Sequence, residues 1–147
     1  MKHGLDSSFL VAVEVACHKD HEVARTVIDS LREKGDRFAI APQVLAEFVH
    51  VVTDSRRFSS PLTIELALQR AEAWWNSKEV EWALPDESTV AWFLAAMTKG
   101  RLGRKRLLDT LLAGTFRSAG VQSMLTLNAA DFGIFDEFEC VPIGGTK

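Results

Sequence analysis

Apolar and polar positions along the chain alternate between short runs that suit strands and longer runs with helical spacing. A strand at about 3–6 leads into a helix at 7–17, and a second helix runs from about Asp20 to Lys34. That second helix carries Val23, Val27, Ile28 and Leu31 on one face, with Gly35 as its natural stop. The run 38-FAIA-41 reads as a strand. Pro42 then takes the first-turn position of a helix to about Ser55, where a missing N–H costs nothing. Pro61 opens another helix through Trp75 in the same way. Strand 80-VEWAL-84 and helix 87–98 follow. After a basic connector come helix 106–118, strand 123–127, a short helical turn and a last strand near 139–143.

Strands separated by helices of this length imply βαβ units. The expected class is α/β, three layers deep, with a central, mostly parallel sheet of about four to five strands flanked by helices. Such sheets place their chemistry at the carboxyl ends of the strands. Asp6 ends the first strand, and Asp131 lies just beyond the fourth, so both belong to that edge.

With 147 residues and neither linkers nor repeats, the expectation is one domain over 1–147. A formal net charge of −3 argues against a surface that grips nucleic acid everywhere, and leaves room for a local basic patch. The longest apolar run, 90-VAWFLAAM-97, has eight residues, far short of a membrane-spanning helix. Lys2 precedes the apolar 9-FLVAVEVAC-17, but Asp6 and Glu14 interrupt the pattern of a signal peptide and no small-residue cleavage site follows, so the expected location is cytoplasmic. Cys17 and Cys140 cannot form a disulfide framework, and lone thiols are expected as small buried hydrophobes. The stretch 17-CHKDH-21 has metal-ligand residue types but lacks a second ligand pair. A di-iron site needs two Glu-x-x-His motifs, and 47-EFVH-50 is one.

Two further acids interrupt helices that are apolar on nearly every side: Glu47 in 44-VLAEFVHVV-52 and Asp109 in 107-LLDTLLAGTF-116. A buried carboxylate without a partner is costly, so each needs a cation, a hydrogen-bond network or exposure. Taken singly, each acid reads as solvent-facing, and Asp131 as a helix cap. Taken together, Asp6, Glu47, Asp109 and Asp131 read as one site. Gathered carboxylates repel one another, and a hard divalent ion with oxygen ligands removes that cost. A pocket of this kind suits phosphodiester hydrolysis.

The segments 5-LDSSFLVA-12, 46-AEFVHVV-52, 107-LLDTLLAGT-115 and 126-TLNAADF-132 together resemble the PIN-domain ribonucleases, in particular the VapC-type toxins of bacterial toxin–antitoxin pairs. The resemblance extends over essentially the whole chain, including the order and approximate spacing of the four acids. It implies a PIN-like fold and an endoribonuclease using Mg²⁺ or Mn²⁺, with Asp6, Glu47, Asp109 and Asp131 as catalytic and metal-ligating residues. Ser7, Thr126 and Asn128 match the small polar positions that support those ligands. The helix pair between Pro42 and Ser77 matches the hairpin-like insertion of the toxin subgroup. The implied partners are an RNA substrate and a small cognate antitoxin, with the chain itself a homodimer and no membrane involved.

The connector 99-KGRLGRKR-106 reads either as a solvated loop or as a phosphate clamp, in which Arg101, Arg104 and Arg106 would contact RNA. The tryptophans Trp74, Trp75, Trp82 and Trp92 read first as core or dimer packing and second as stacking platforms for bases. Trp74, Trp75 and the apolar residues of helix 61–75 are candidates for the antitoxin contact. Two other classes of function stay open: a phosphoacceptor signalling domain modified at Asp6, which leaves Glu47 and Asp109 unexplained, and a non-hydrolytic PIN-like RNA-binding module.

Overall fold

The computed structural model describes residues 1–141 and residue 143. Five strands form one all-parallel sheet: β1 (Lys2–Leu5), β2 (Arg37–Ile40), β3 (Val80–Trp82), β4 (Ser123–Leu125) and β5 (Glu139–Cys140). Their spatial order is β3-β2-β1-β4-β5. The expected class and strand number therefore hold. The last strand stops at Cys140, short of the 139–143 expected, and of that stretch Pro142 lies outside the described residues.

The helices are α1 (Ser7–Glu14), α2 (His21–Glu33), α3 (Pro42–Val52), α4 (Ile64–Trp75), α5 (Glu87–Lys99), α6 (Leu107–Ser118) and α7 (Ala129–Phe132). From β1 the chain steps outward to β2 and β3, then returns across the sheet to β4. Parallel crossovers are right-handed, so helices α1–α4 cover one face and α5–α6 the other. Packing follows that division: α1 lies against α2 and α3, α3 against α4, and α5 against α6. Strands β1, β2 and β4 bury residues on both faces, and Phe9, Phe38, Phe48, Phe116 and Met124 fill the space between the layers. Among the described residues, no helix is long and apolar enough to cross a membrane.

Several boundaries differ from expectation for local reasons. Helix α4 begins at Ile64 rather than Pro61, because the Thr63 hydroxyl accepts from the Leu66 N–H at 3.2 Å and caps it there. Pro61 and Leu62 precede the helix, and the Leu62 N–H bonds the Val52 carbonyl instead. Helix α1 stops at Glu14 because Val15 is extended. On α2 the buried face is Ala24, Ile28 and Leu31, whereas Val23 is exposed. Cys17 is also exposed, contrary to the buried thiol expected.

The tryptophans divide among three roles. Trp74 is buried and its indole N–H donates to Glu14 at 2.7 Å, which removes it from the surface proposed for a partner. Glu14 also accepts from Arg70, tying α1 to α4. Trp75 and Trp82 stack face to face with centroids 4.9 Å apart. Trp92 packs obliquely on Phe135 and lies against Gly114.

At Gly114, α6 packs tightly against α5. A Cβ there would meet Trp92 at 2.9 Å and the Thr89 carbonyl at 3.3 Å. Helix propensity alone favours alanine by about 1 kcal/mol. Overpacking a tight contact costs about 1–3 kcal/mol, so it wins. Gly114→Ala should lower the melting temperature by several degrees in a thermal scan; an unchanged or raised value would mean that the two helices are not locked at this contact.

Candidate active site

The strand order reverses between β1 and β4, the position where open α/β sheets form their binding crevice. Register does the rest. Leu5 pairs with Leu125, so the next residues, Asp6 and Thr126, emerge side by side at the carboxyl edge. The Asp6 N–H bonds the Leu125 carbonyl at 3.1 Å, and its side chain caps α1 by accepting from the Ser7 N–H at 2.9 Å. The other carboxylate oxygen, Oδ2, accepts from Thr126 Oγ1 at 2.8 Å and from Ser8 Oγ at 3.0 Å. Thr126 Oγ1 in turn accepts the Asn128 N–H, and Ser8 Oγ accepts the Leu127 N–H. Asp6 is buried, and burial raises its pKa against the opposing pull of these three donors.

Asp6, Glu47, Asp109 and Asp131 line a single concave pocket of about 640 Å³. Glu47 reaches it from α3, whose buried face is Val44, Phe48 and Val52. Asp109 reaches it from the first turn of α6 and Asp131 from α7. Asp131 is not a cap: Asn128 holds that position, and the Asp131 carboxylate accepts from Arg106 Nη1 at 3.1 Å. Asp109 records the crowding. Its pKa is pushed up to about 6, first by burial and then by the negative charges of Asp131, Asp6 and Glu47, with Arg106 offsetting part of the rise.

The supporting positions work differently from a reading of side-chain types. Thr126 contacts Asp6 directly, Ser7 contributes its backbone N–H, and Asn128 acts through its backbone on Thr126. The direct hydroxyl partner beside Thr126 is Ser8, two residues after the acid. Of the basic connector, Arg106 belongs to the site through Asp131. Arg104 lines an adjoining groove of about 790 Å³ together with Lys105, and this groove shares Glu47 and Asp109 with the acidic pocket. Arg101 lies outside both cavities and adopts a left-handed backbone, φ 47°, at the end of α5. His18 and Arg57 also line the acidic pocket. His18 sits in 17-CHKDH-21, but Arg57 carries no sequence signal because its place depends on how α3 and α4 pack.

An all-oxygen donor set suits a hard cation. Asp6 Oδ1 accepts one hydrogen bond and keeps acceptor capacity, while Oδ2 is fully occupied. Among the described residues, no three acidic, histidine or cysteine side chains gather closely enough to enclose one ion. The arrangement is a rim of carboxylates, compatible with Mg²⁺, which binds through one or two carboxylates and keeps several waters.

This fold is the PIN-like fold of VapC toxins. The chain is similar to VapC20 of Mycobacterium tuberculosis, a sarcin–ricin-loop-cleaving toxin, with TM-score 0.69 and 17% identity over 90% of this chain and 95% of that one. It is similar to VapBC2 of Rickettsia felis bound to a promoter DNA fragment, with TM-score 0.68 and 16% identity over 96% and 98%. DNA-bound VapBC of Salmonella typhimurium gives TM-score 0.64 and 16% identity over 96% and 97%. No protein-family model matches the sequence, and no curated protein does.

The Asp109 carboxyl gives a test of sign. With its folded pKa near 6 and an ordinary value of 3.8, the folded state holds the proton more tightly. Stability contributed by this group therefore falls as pH rises from about 4 to about 6 and stays lower above that window. Asp109→Asn should leave the metal-free protein at least as stable as wild type at pH 7, by a margin on the order of 1 kcal/mol that vanishes near pH 4. Melts in EDTA at the two pH values check this. A mutant melting well below wild type at pH 7 would make Asp109 a structural acid.

Proposed function

We propose that this protein is a Mg²⁺- or Mn²⁺-dependent endoribonuclease and the toxin of a toxin–antitoxin pair, acting in the cytoplasm as a homodimer restrained by a small antitoxin protein. One observation carries the reading: four carboxylates from four separate chain segments line one pocket at the switch point of a fold shared with VapC toxins. Of Asp6, Glu47, Asp109 and Asp131, one or two would hold the metal directly and the others through its bound waters. A bound divalent ion supplies a Lewis acid for a phosphoryl oxygen and lowers the pKa of a water molecule. Thr126 and Ser8 keep the Asp6 carboxylate fixed. Arg106 balances the charge of Asp131 through a partly exposed ion pair, which is weak enough to exchange for a phosphate. The arginines of the connector offer bidentate donors to the RNA backbone. The resemblance to PIN-domain ribonucleases makes the expected product ends a 5′-phosphate and a 3′-hydroxyl.

Cleavage of RNA by the purified chain should require added Mg²⁺ or Mn²⁺ and should stop in EDTA; undiminished cutting in excess chelator would sink the reading. Asp6→Asn should abolish turnover. Thr126→Val should cost about 10–100-fold in activity, the range typical of groups that orient metal ligands.

The connector makes a separate prediction. Because Arg104 lines the groove beside the acids and Arg101 does not, Arg104→Gln should flatten the salt dependence of RNA binding by about 0.7 in log–log slope, one single-strand contact. Arg101→Gln should leave the slope alone. Equal effects from both would return the segment to a diffuse basic loop.

A further inference from the structure

A pocket rimmed by four carboxylates repels the polyanion it is proposed to cut, so the cations around it matter as much as its acids. Arg104 and Lys105 stand in the adjoining groove, which meets the acidic pocket at Glu47 and Asp109. The acidic pocket, but not that groove, is also walled by the α3–α4 connection and by the turn between α1 and α2. These supply Arg57 and His18.

Arg57 is held at its base and free at its tip. Its backbone N–H and that of Phe58 both bond the Asp54 carbonyl at 3.1 Å, and the Phe58 ring packs against the core. The Asp54 carboxylate is already engaged by Arg56, which donates its backbone N–H at 2.9 Å and its Nε at 3.2 Å. Arg57 Nε stands 3.6 Å from the same carboxylate, an ion pair beyond hydrogen-bond length. Its guanidinium thus keeps its donors for an incoming group. His18 is half-buried, and its Nδ1 accepts the Asp20 N–H at 3.0 Å. That bond fixes the neutral ring with its proton on Nε2, a hydrogen-bond donor.

We infer that Arg57 and His18 form a second phosphate-binding subsite, so that an RNA strand crosses the acids between two basic banks, Arg57–His18 on one and Arg104–Lys105 on the other. The inference rests on the ribonuclease reading and extends it from the reacting phosphate to its neighbour along the strand. Arg57 acts as a charged fork and His18 as a neutral donor. Both position substrate, and neither takes part in bond cleavage.

The test uses an unpaired fluorescent RNA oligonucleotide, with steady-state cleavage measured in Mg²⁺ and binding measured against salt in EDTA. Arg57→Gln should raise KM about tenfold, the scale of one charge-assisted hydrogen bond lost, with kcat nearly unchanged. It should also reduce the salt slope by about 0.7. Arg57→Lys should restore the slope but only part of KM, since lysine keeps the charge and loses the fork. His18→Ala should raise KM a few-fold without moving the slope, because the ring it removes is neutral. Melting temperatures should stay at the wild-type value. Unchanged KM and slope in Arg57→Gln, beside a wild type that cuts, would overturn the subsite and leave the ribonuclease reading standing. So would a loss of kcat that follows a lowered melting temperature, which would make Arg57 structural. A wild type that neither binds nor cuts RNA would remove both readings.

Discussion

The buried carboxylate of Asp6 is the group on which the arrangement of the site depends. It sits where β1 ends and α1 begins, at the point where the strand order reverses. Three donors hold it: the Ser7 N–H from its own helix, Ser8 Oγ, and Thr126 Oγ1 from the far side of the β1–β4 pair. Charge-assisted hydrogen bonds of this kind offset part of the desolvation, which on balance still raises the pKa of the acid. Their geometry is only as good as the register of two parallel strands. A slip of one residue would turn Thr126 to the other face and leave Asp6 short of a partner.

The acids come from rigid parts of the molecule and the cations from its connections. Asp6 is at a strand end, Glu47 and Asp109 are on helices packed on opposite faces of the sheet, and Asp131 is on a short helix beyond β4. Their mutual repulsion is maintained because the layers behind them are well packed, with Phe48, Phe116 and Phe132 fully buried beneath the same elements. The donors that would meet a phosphate sit on turns: Arg57 between α3 and α4, His18 between α1 and α2, Arg104 and Arg106 in the 3₁₀ turn before α6. Such a division keeps the reacting geometry fixed and lets the charge that meets a substrate adjust.

The α3–α4 pair links these two groups. Its inner faces bury Val44, Phe48, Ala67 and Ala71, and Trp74 anchors it to α1 through Glu14. Its outer face exposes Ile64, Leu66 and Leu68, while Leu45, Val49 and Trp75 line a shallow apolar groove between the two helices. One helix of the pair thus carries Glu47, and the loop at its end carries Arg57.

Much of this protein was legible in its sequence. Period and punctuation are local properties, so alternating strand and helix signals marked every strand and α-helix among the described residues and the α/β class, and Pro42 marked the start of α3 correctly. Where boundaries moved, as at Thr63, a local cap outweighed a proline. Glu47 and Asp109 stood out because each interrupted an apolar helix, and the strand-end rule aimed Asp6 and Asp131 at one edge. What the sequence did not hold was pairing between distant segments. That β1 lies beside β4 rather than at an edge, that Ser8 rather than Ser7 offers its hydroxyl to Asp6, that Arg106 faces Asp131 while Arg101 faces neither cavity, and that Arg57 stands in the acidic pocket are all consequences of crossovers and packing. The physical reason is range: propensity and periodicity act within a few residues along the chain, whereas a hydrogen bond between residues 6 and 126 exists only after the sheet has formed.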